Sequence, residues 1–171
     1  MAITVKTGSA GNSTAGTAAG SLGKYISTTQ YTDNVLNNIF DDISGTENAA
    51  STVDYRCIFV HNAHASLTAT VMVVYLSSEV SGGASISIGL DPAGATALGS
   101  SSAQAAEIAT ELSAPAGVSF SAPTTAATGL SIGSLAAGQV YGIWVRRTAA
   151  NSAAKNNDGV TKINRMPSRI S

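Results

Sequence analysis

Gly129-Leu130-Ser131-Ile132-Gly133 spells G-x-S-x-G, a nucleophile motif. A serine so placed attacks a carbonyl when a strand, a sharp turn and a helix present it, and when a histidine later in the chain takes its proton. Neither condition is met. Another turn and strand follow Gly133, and the only histidines, His61 and His64, lie far upstream. Leu130 and Ile132 flank Ser131 with the period of a half-buried strand. His61 and His64, with Asp54 or Asp91, are too few for a zinc site, which draws three or four mutually supported ligands. Their position beside Asn62 predicts turn residues instead. "FDDISGTE" gathers Asp41, Asp42 and Glu47 without the alternating oxygen ligands of a calcium loop. Asp54, Glu79, Glu107 and Glu111 form the pool for paired-carboxylate chemistry on a sugar. Their spacing selects no pair, and an aromatic content of 5% is low for a sugar-cleaving groove. "GTAAGSLGKY" misses the phosphate-loop pattern, with Ala18 where the first glycine belongs and Tyr25 where Ser or Thr belongs. Cys57 stands alone, so one chain can build neither a disulfide framework nor a thiolate metal site, and it reads as a small buried hydrophobe. The expectation is a protein with no catalytic, metal-binding or cofactor-binding residues, and no enzyme.

Composition points to a partner instead. Charged residues make up 11% of 171, against roughly 25% in ordinary soluble proteins. Ala, Gly, Ser and Thr fill their places. A free monomer keeps itself soluble with interspersed charge, so this surface reads as one that is covered in the working state. The net charge of −1 conceals an acidic body and a basic end carrying Arg146, Arg147, Lys155, Lys162, Arg165 and Arg169. A nucleic-acid binder would carry its basic field over the folded body with aromatics to stack on, so no nucleic acid is expected. No apolar run fits a signal peptide or a bilayer span, so neither membrane nor export is expected, and synthesis belongs to a cytoplasm.

The elements follow from periodicity. Residues 1–24 are too poor in apolar side chains to offset their ordering entropy and read as a flexible arm, with Ile3 and Val5 as its contact residues. Val35, Leu36, Ile39, Phe40 and Ile43 recur at helical spacing, predicting a short helix near 33–43. From Val53 the period becomes two. Tyr55, Cys57 and Phe59 oppose Arg56, Ile58 and Val60; Leu67, Ala69, Val71, Val73 and Tyr75 share a face; Ile86, Ile88 and Leu90 alternate. "GVSFSAP", "TGLSIGSL", "QVYGIWVRR" and "VTKI" supply further strands; in 99–117 Ala106, Ile108 and Leu112 suit either a weak helix or an edge strand, and an irregular excursion with a short strand is favoured. Short strands punctuated by Gly, Pro, Asn and Ser, with no βαβ alternation, predict an all-β, antiparallel sandwich spanning 25–163. A basic tail, 164–171, follows.

Leu135, Gly138 and Tyr141 stand in an L-x-x-G-x-x-Y spacing that resembles the corner of fibronectin type III and immunoglobulin-like domains; a jelly-roll is the other sandwich topology considered. That resemblance implies a leucine plugging the core, a glycine making the turn and a tyrosine hydroxyl closing it. Trp144 falls on the opposite face of the strand, as a core aromatic.

In order, "LGKYISTT", "NIFDDISGTENAASTVDYRCIFVHN", "SISIGLDPAG", "ELSAPAGVSFSAP" and "LAAGQVYGIWVRRTAANSAAKNNDGVTKI" resemble virion structural proteins of tailed bacteriophages, most closely small proteins encoded among the head genes. The resemblance spans about 22–163. It implies a decoration or cement protein on the outside of the capsid, with the phage major capsid protein as partner and self-association on the shell as a dimer or trimer. A neck, tail or fibre module, receptor-binding or structural, is the alternative. The arm (Ile3, Val5) and the basic end (Arg165, Arg169) are the expected partner contacts.

Overall fold

The computed structural model describes residues 3–14, 16–17, 19–33, 35, 37–78, 84–149 and 162–165, with backbone alone for Ser78 and 162–165. It is mostly β. A five-stranded sheet has the order β2 (Ile26–Gln30), β1 (Ile3–Gly8), β3 (Val53–Asn62), β7 (Gln139–Ala149), β5 (Ala84–Ala97). A three-stranded sheet has the order β6 (Leu130–Leu135), β4 (Ala69–Ser78), β8 (Lys162–Arg165). Every strand pairing is antiparallel and neither sheet closes on itself. The two expected features, β-rich and antiparallel, are present.

β3 and β7 pair without interruption from Val53 opposite Thr148 to His61 opposite Val140. Alternation gives each strand two faces, and both are buried. On one face Ile58, Val60, Ile143 and Val145 share a core with Met72, Val74 and Leu76 of β4 and Ile132 and Leu135 of β6. On the other, Cys57, Phe59, Val140 and Trp144 pack against Ala10, Leu22, Ala105 and Ile108, which belong to connections rather than strands. Trp144 is the core aromatic that its phase predicted, and its indole N–H donates to Asp91 Oδ2 at 2.8 Å. The same oxygen accepts the Ala106 N–H at 2.8 Å. A buried carboxylate thus pins the 98–129 excursion to the sheet.

Several expectations are corrected. The described residues of 3–24 are not an arm: β1 is an inner strand, paired with β3 from Ile3 opposite Asn62 to Thr7 opposite Ile58. Small residues permit this by letting backbones touch. Past the end of β1 the loop carries on along the same edge, with Cys57 N–H donating to Ser21 O at 2.8 Å. Ser21 Oγ donates in turn to Cys57 O. Composition underestimated what a backbone ladder contributes to a strand with few apolar side chains.

The helix expected near 33–43 is absent among the described residues there. Helix α1 lies at Gly45–Ala50, where Ser44 and Glu47 form a reciprocal capping box. Ile39 and Phe40 instead pack on the core in an irregular strap. "GVSFSAP" reduces to a single bridge between Ile88 and Ser121. In β4 the predicted face breaks at a bulge between Ala69 and Met72, where Val71 takes φ 53°. The extra residue moves Ala69 into the core while Val71, 73% exposed, faces solvent. Of the expected tail, Asn164 and Arg165 belong to β8, which pairs Arg165 with Val74; Arg169 lies outside the described residues.

Gly23 is wedged between the 98–129 excursion and the sheet: its φ is 93°, and a Cβ there would strike Ala106 O and approach Trp144 Cζ2 to 3.1 Å. Gly99 also has positive φ, at 80°, but faces open space. Gly23→Ala therefore adds a backbone clash to left-handed strain, and Gly99→Ala adds strain alone. The expected losses are about 3 kcal/mol and about 1 kcal/mol, read from urea midpoints at constant m-value.

Candidate functional site

Charged side chains occupy inward positions at one end of the core shared by the two sheets. Asp54 and Arg56 lie in phase with Ile58 and Val60 on β3, and Arg147 in phase with Ile143 and Val145 on β7; the register sets Asp54 opposite Arg147. Their side chains are 1%, 0% and 6% exposed. Arg147 Nε and Nη2 approach Asp54 Oδ2 at 2.9 and 2.7 Å. Arg147 Nη1 donates to Asp41 O, and Nη2 lies 3.4 Å from Asp41 Oδ1. Arg56 donates through Nη2 to Glu111 Oε2, to Thr17 O at 3.0 Å, and through Nη1 to Tyr55 O at 3.0 Å. The Phe40 ring lies against both cations, 4.7 Å from the Arg147 guanidinium carbon and 5.3 Å from that of Arg56.

Five charges, from loops and strands distant in sequence, thus meet around one aromatic ring. Asp54 Oδ1 and Arg56 Nε have no hydrogen-bond partner. Removing one member of such a buried pair strands the other's charge, which costs far more than the pair itself contributes. Asp54 and Glu111 belong to the carboxylate pool read from the sequence, but each is held by an arginine. Glu107 sits elsewhere, 3.0 Å from Lys24 Nζ on the surface; Glu79 lies outside the described residues.

The other sequence candidates do not converge. Ser131 is an exposed residue of β6 whose Oγ accepts the Gly133 N–H at 3.3 Å. His64 is a turn residue: its Nδ1 accepts the N–H groups of Ser66 at 3.2 Å and Leu67 at 3.0 Å. His61 lies on β3, 3.4 Å from Thr4 Oγ1, with its pKa held below the usual value by burial and by the Lys6 charge. Among the described residues no three potential ligands cluster around a metal position.

The corner lies where the chain crosses from one sheet to the other. Leu135 is fully buried and Gly138 has φ 73°, matching the core plug and the turn. The closing group differs. Asn62 Nδ2 donates to Leu135 O and Leu67 O, both at 2.8 Å, and Gly138 N–H donates to Asn62 O at 2.9 Å. Among the described residues no hydrogen bond from Tyr141 closes the corner; its side chain packs on the core. Ile3 and Val5, expected to meet a partner, also face this chain's own core.

No family model, curated protein or solved structure matches the chain. The site is read from its own geometry: a charged plug at the end of an apolar core, closed over by a strap. Sequence reasoning passed over Arg56, Arg147 and Phe40 as site residues. The signal was present in phase, since a charge at an inward strand position must find a buried partner.

Asp54→Ala leaves the Arg147 guanidinium buried with half of its pairing gone. The expected loss is about 3–5 kcal/mol in urea denaturation.

Tyr31 gives a second test. Its hydroxyl is buried, and burial is the main cause pushing its pKa up to about 12, offset in part by the Ser21 side chain. The folded state retains this proton when the unfolded chain has lost it, so stability is full below pH 10 and falls as pH rises toward 12. Tyr31→Phe should leave neutral-pH stability within about 1 kcal/mol and flatten that alkaline fall, on the order of 2–3 kcal/mol, in denaturation series across this range.

Proposed function

We propose that the protein is a non-enzymatic structural component of a tailed-phage virion, a β-sandwich that binds the outside of the capsid and stabilises it. One observation carries this reading: among the side chains the structure describes, charge reaches solvent at few places, with Asp33, Asp42 and Glu107 exposed and Lys24 paired to Glu107 on the surface. Arg56, Arg147, Asp54 and Asp91 are buried inside the molecule. The remaining surface is largely Ala, Ser, Thr and Gly, with Val35, Val71, Leu98 and Leu112 standing out as exposed apolar side chains.

A surface so poor in charge has little electrostatic barrier to close approach of another subunit and loses little hydration when covered. Small side chains lose little rotamer entropy on being covered. Such contacts are individually weak, and a lattice multiplies them: a protein that bridges neighbouring capsid subunits gains from high effective concentration. The sandwich is supported by the core shared between the two sheets. The phage setting is supported by the sequence phrases from about 22 to 163, and the basic end provides Arg165 and Arg169 for acidic patches on the shell. With Ile3 and Val5 turned inward, contact falls to the exposed surface and to this end.

The direct measurement is co-sedimentation of the purified full chain with heads of its cognate tailed phage. Saturable pelleting, weakened about threefold or more by Arg165→Glu with Arg169→Glu and by added salt, is the expected outcome. A protein that stays in the supernatant with intact heads at every concentration rejects the capsid role.

A further inference from the structure

One segment of this molecule is held as a bound peptide is held. Among the described residues of 32–43, no backbone-to-backbone hydrogen bond ties the strap to either sheet. Its side-chain attachment runs through three consecutive residues, and upstream of them the Asn37 backbone packs on Gly16. Ile39 and Phe40 pack on the end of the core, the Phe40 ring lies against both guanidinium groups, and Asp41 offers its carbonyl and its carboxylate to Arg147.

The receiving surface is organised without the strap. Arg147 is fixed by Asp54, and Arg56 by Glu111, Thr17 O and Tyr55 O, all outside 32–43. Two cations beside an apolar core end select for an aromatic ring followed by an acid, with an aliphatic residue before it. We propose that this end of the molecule is an acceptor site for an aliphatic–aromatic–acidic peptide segment, filled in cis by Ile39-Phe40-Asp41 and in trans by the same segment of a second copy.

A second copy is the occupant because it carries the identical segment and so restores every contact that exchange breaks, the condition under which swapping costs least. The flanks allow it. Chain from Tyr31 to Phe40 reaches roughly 30 Å when extended. On the other side α1 has no buried residue, so the strap can travel without dismantling core. The competing cis strap has an effective concentration in the mM range, so exchange belongs to concentrated protein or to copies held side by side.

The test needs two measurements. In a concentrated 1:1 mixture of differently isotope-labelled wild-type chains, unfolded together and refolded, interchain contacts between the Phe40 ring and the Arg147 side chain should appear by filtered NMR. Contacts within chains only would overturn the second-copy occupant. Separately, the peptide VLNNIFDDIS (residues 35–44) should bind the Phe40→Ala, Asp41→Ala chain with one-to-one stoichiometry, and a peptide with Ala at the Phe position about tenfold more weakly or worse. No binding to a variant that still melts cooperatively overturns the acceptor site. Peptide binding without interchain contacts retains the site and transfers its trans occupant to a foreign segment of the same chemistry. If the double variant does not fold, the wild-type mixture decides alone.

Discussion

The β3–β7 ladder has two faces that cannot meet water, and most of this molecule follows from covering both. A sheet with one apolar face needs one partner layer. Here Ile58, Val60, Ile143 and Val145 require the second sheet on one side, while Cys57, Phe59, Val140 and Trp144 require a cover on the other. Among the described residues no helix is available for that second task; α1 buries nothing. Two connections do it instead, and a connection lying flat on a sheet brings its own polar backbone into the interior. Asp91 answers part of that demand by accepting the Ala106 N–H beside the Trp144 indole, and Gln104 another part, with its Oε1 accepting the Ile26 N–H at 2.9 Å and its Nε2 donating to Ala97 O at 2.8 Å. The richness in glycine and alanine follows: backbone can approach sheet this closely only where side chains are small, as at Gly142, where a Cβ would come within 2.9 Å of Ala105 Cβ.

The charged plug is the same constraint met at the end of the ladder. The inward positions continue past the reach of the apolar core as Asp54, Arg56 and Arg147. An apolar residue there would leave the core end open to solvent, while an isolated charge would be stranded. Mutual pairing resolves both problems at an energy close to that of a hydrophobic plug, and it adds direction: guanidinium groups bind carbonyls and carboxylates at defined angles. That directionality lets one cluster tie Thr17, Asp41 and Glu111, from three separate connections, to adjacent strands. Hydrophobic contact alone would hold those loops in place with much less registry.

How much of this could be read from the sequence depends on whether the controlling interaction was local. The two faces of β3 and β7 were legible because alternation needs only neighbouring residues, and Trp144 fell where its phase put it. The Leu135 plug and Gly138 turn were legible for the same reason. Asn62 as the closing group was not, because its partners Leu67 and Leu135 become neighbours only after the chain has crossed between sheets. The strap misled because Ile39 and Phe40 have helical spacing with their neighbours, yet their burial is decided by Arg56 and Arg147. The true helix carried its own local mark, Ser44 followed by Glu47, one turn further on. The bulge at Val71 is the remaining case: a valine at positive φ has no sequence signature, and a single extra residue inverted the predicted face of β4.

Interior and exterior are linked through charge. A chain with 11% charged residues that buries two arginines and two aspartates has few left to face solvent, and the described surface shows this in its small uncharged side chains. Repulsion between like-charged surfaces and the hydration shell of Lys and Glu are the usual barriers to crowding identical subunits together. Both are weak here. Internal pairing therefore does two things with the same residues: it closes the core end and fixes the loops, and it leaves an exterior that loses little when another surface is laid against it. On the proposed reading as a capsid-binding protein, such an exterior would suit one tile among many, since two arginines and two aspartates that could have faced solvent are paired inside instead.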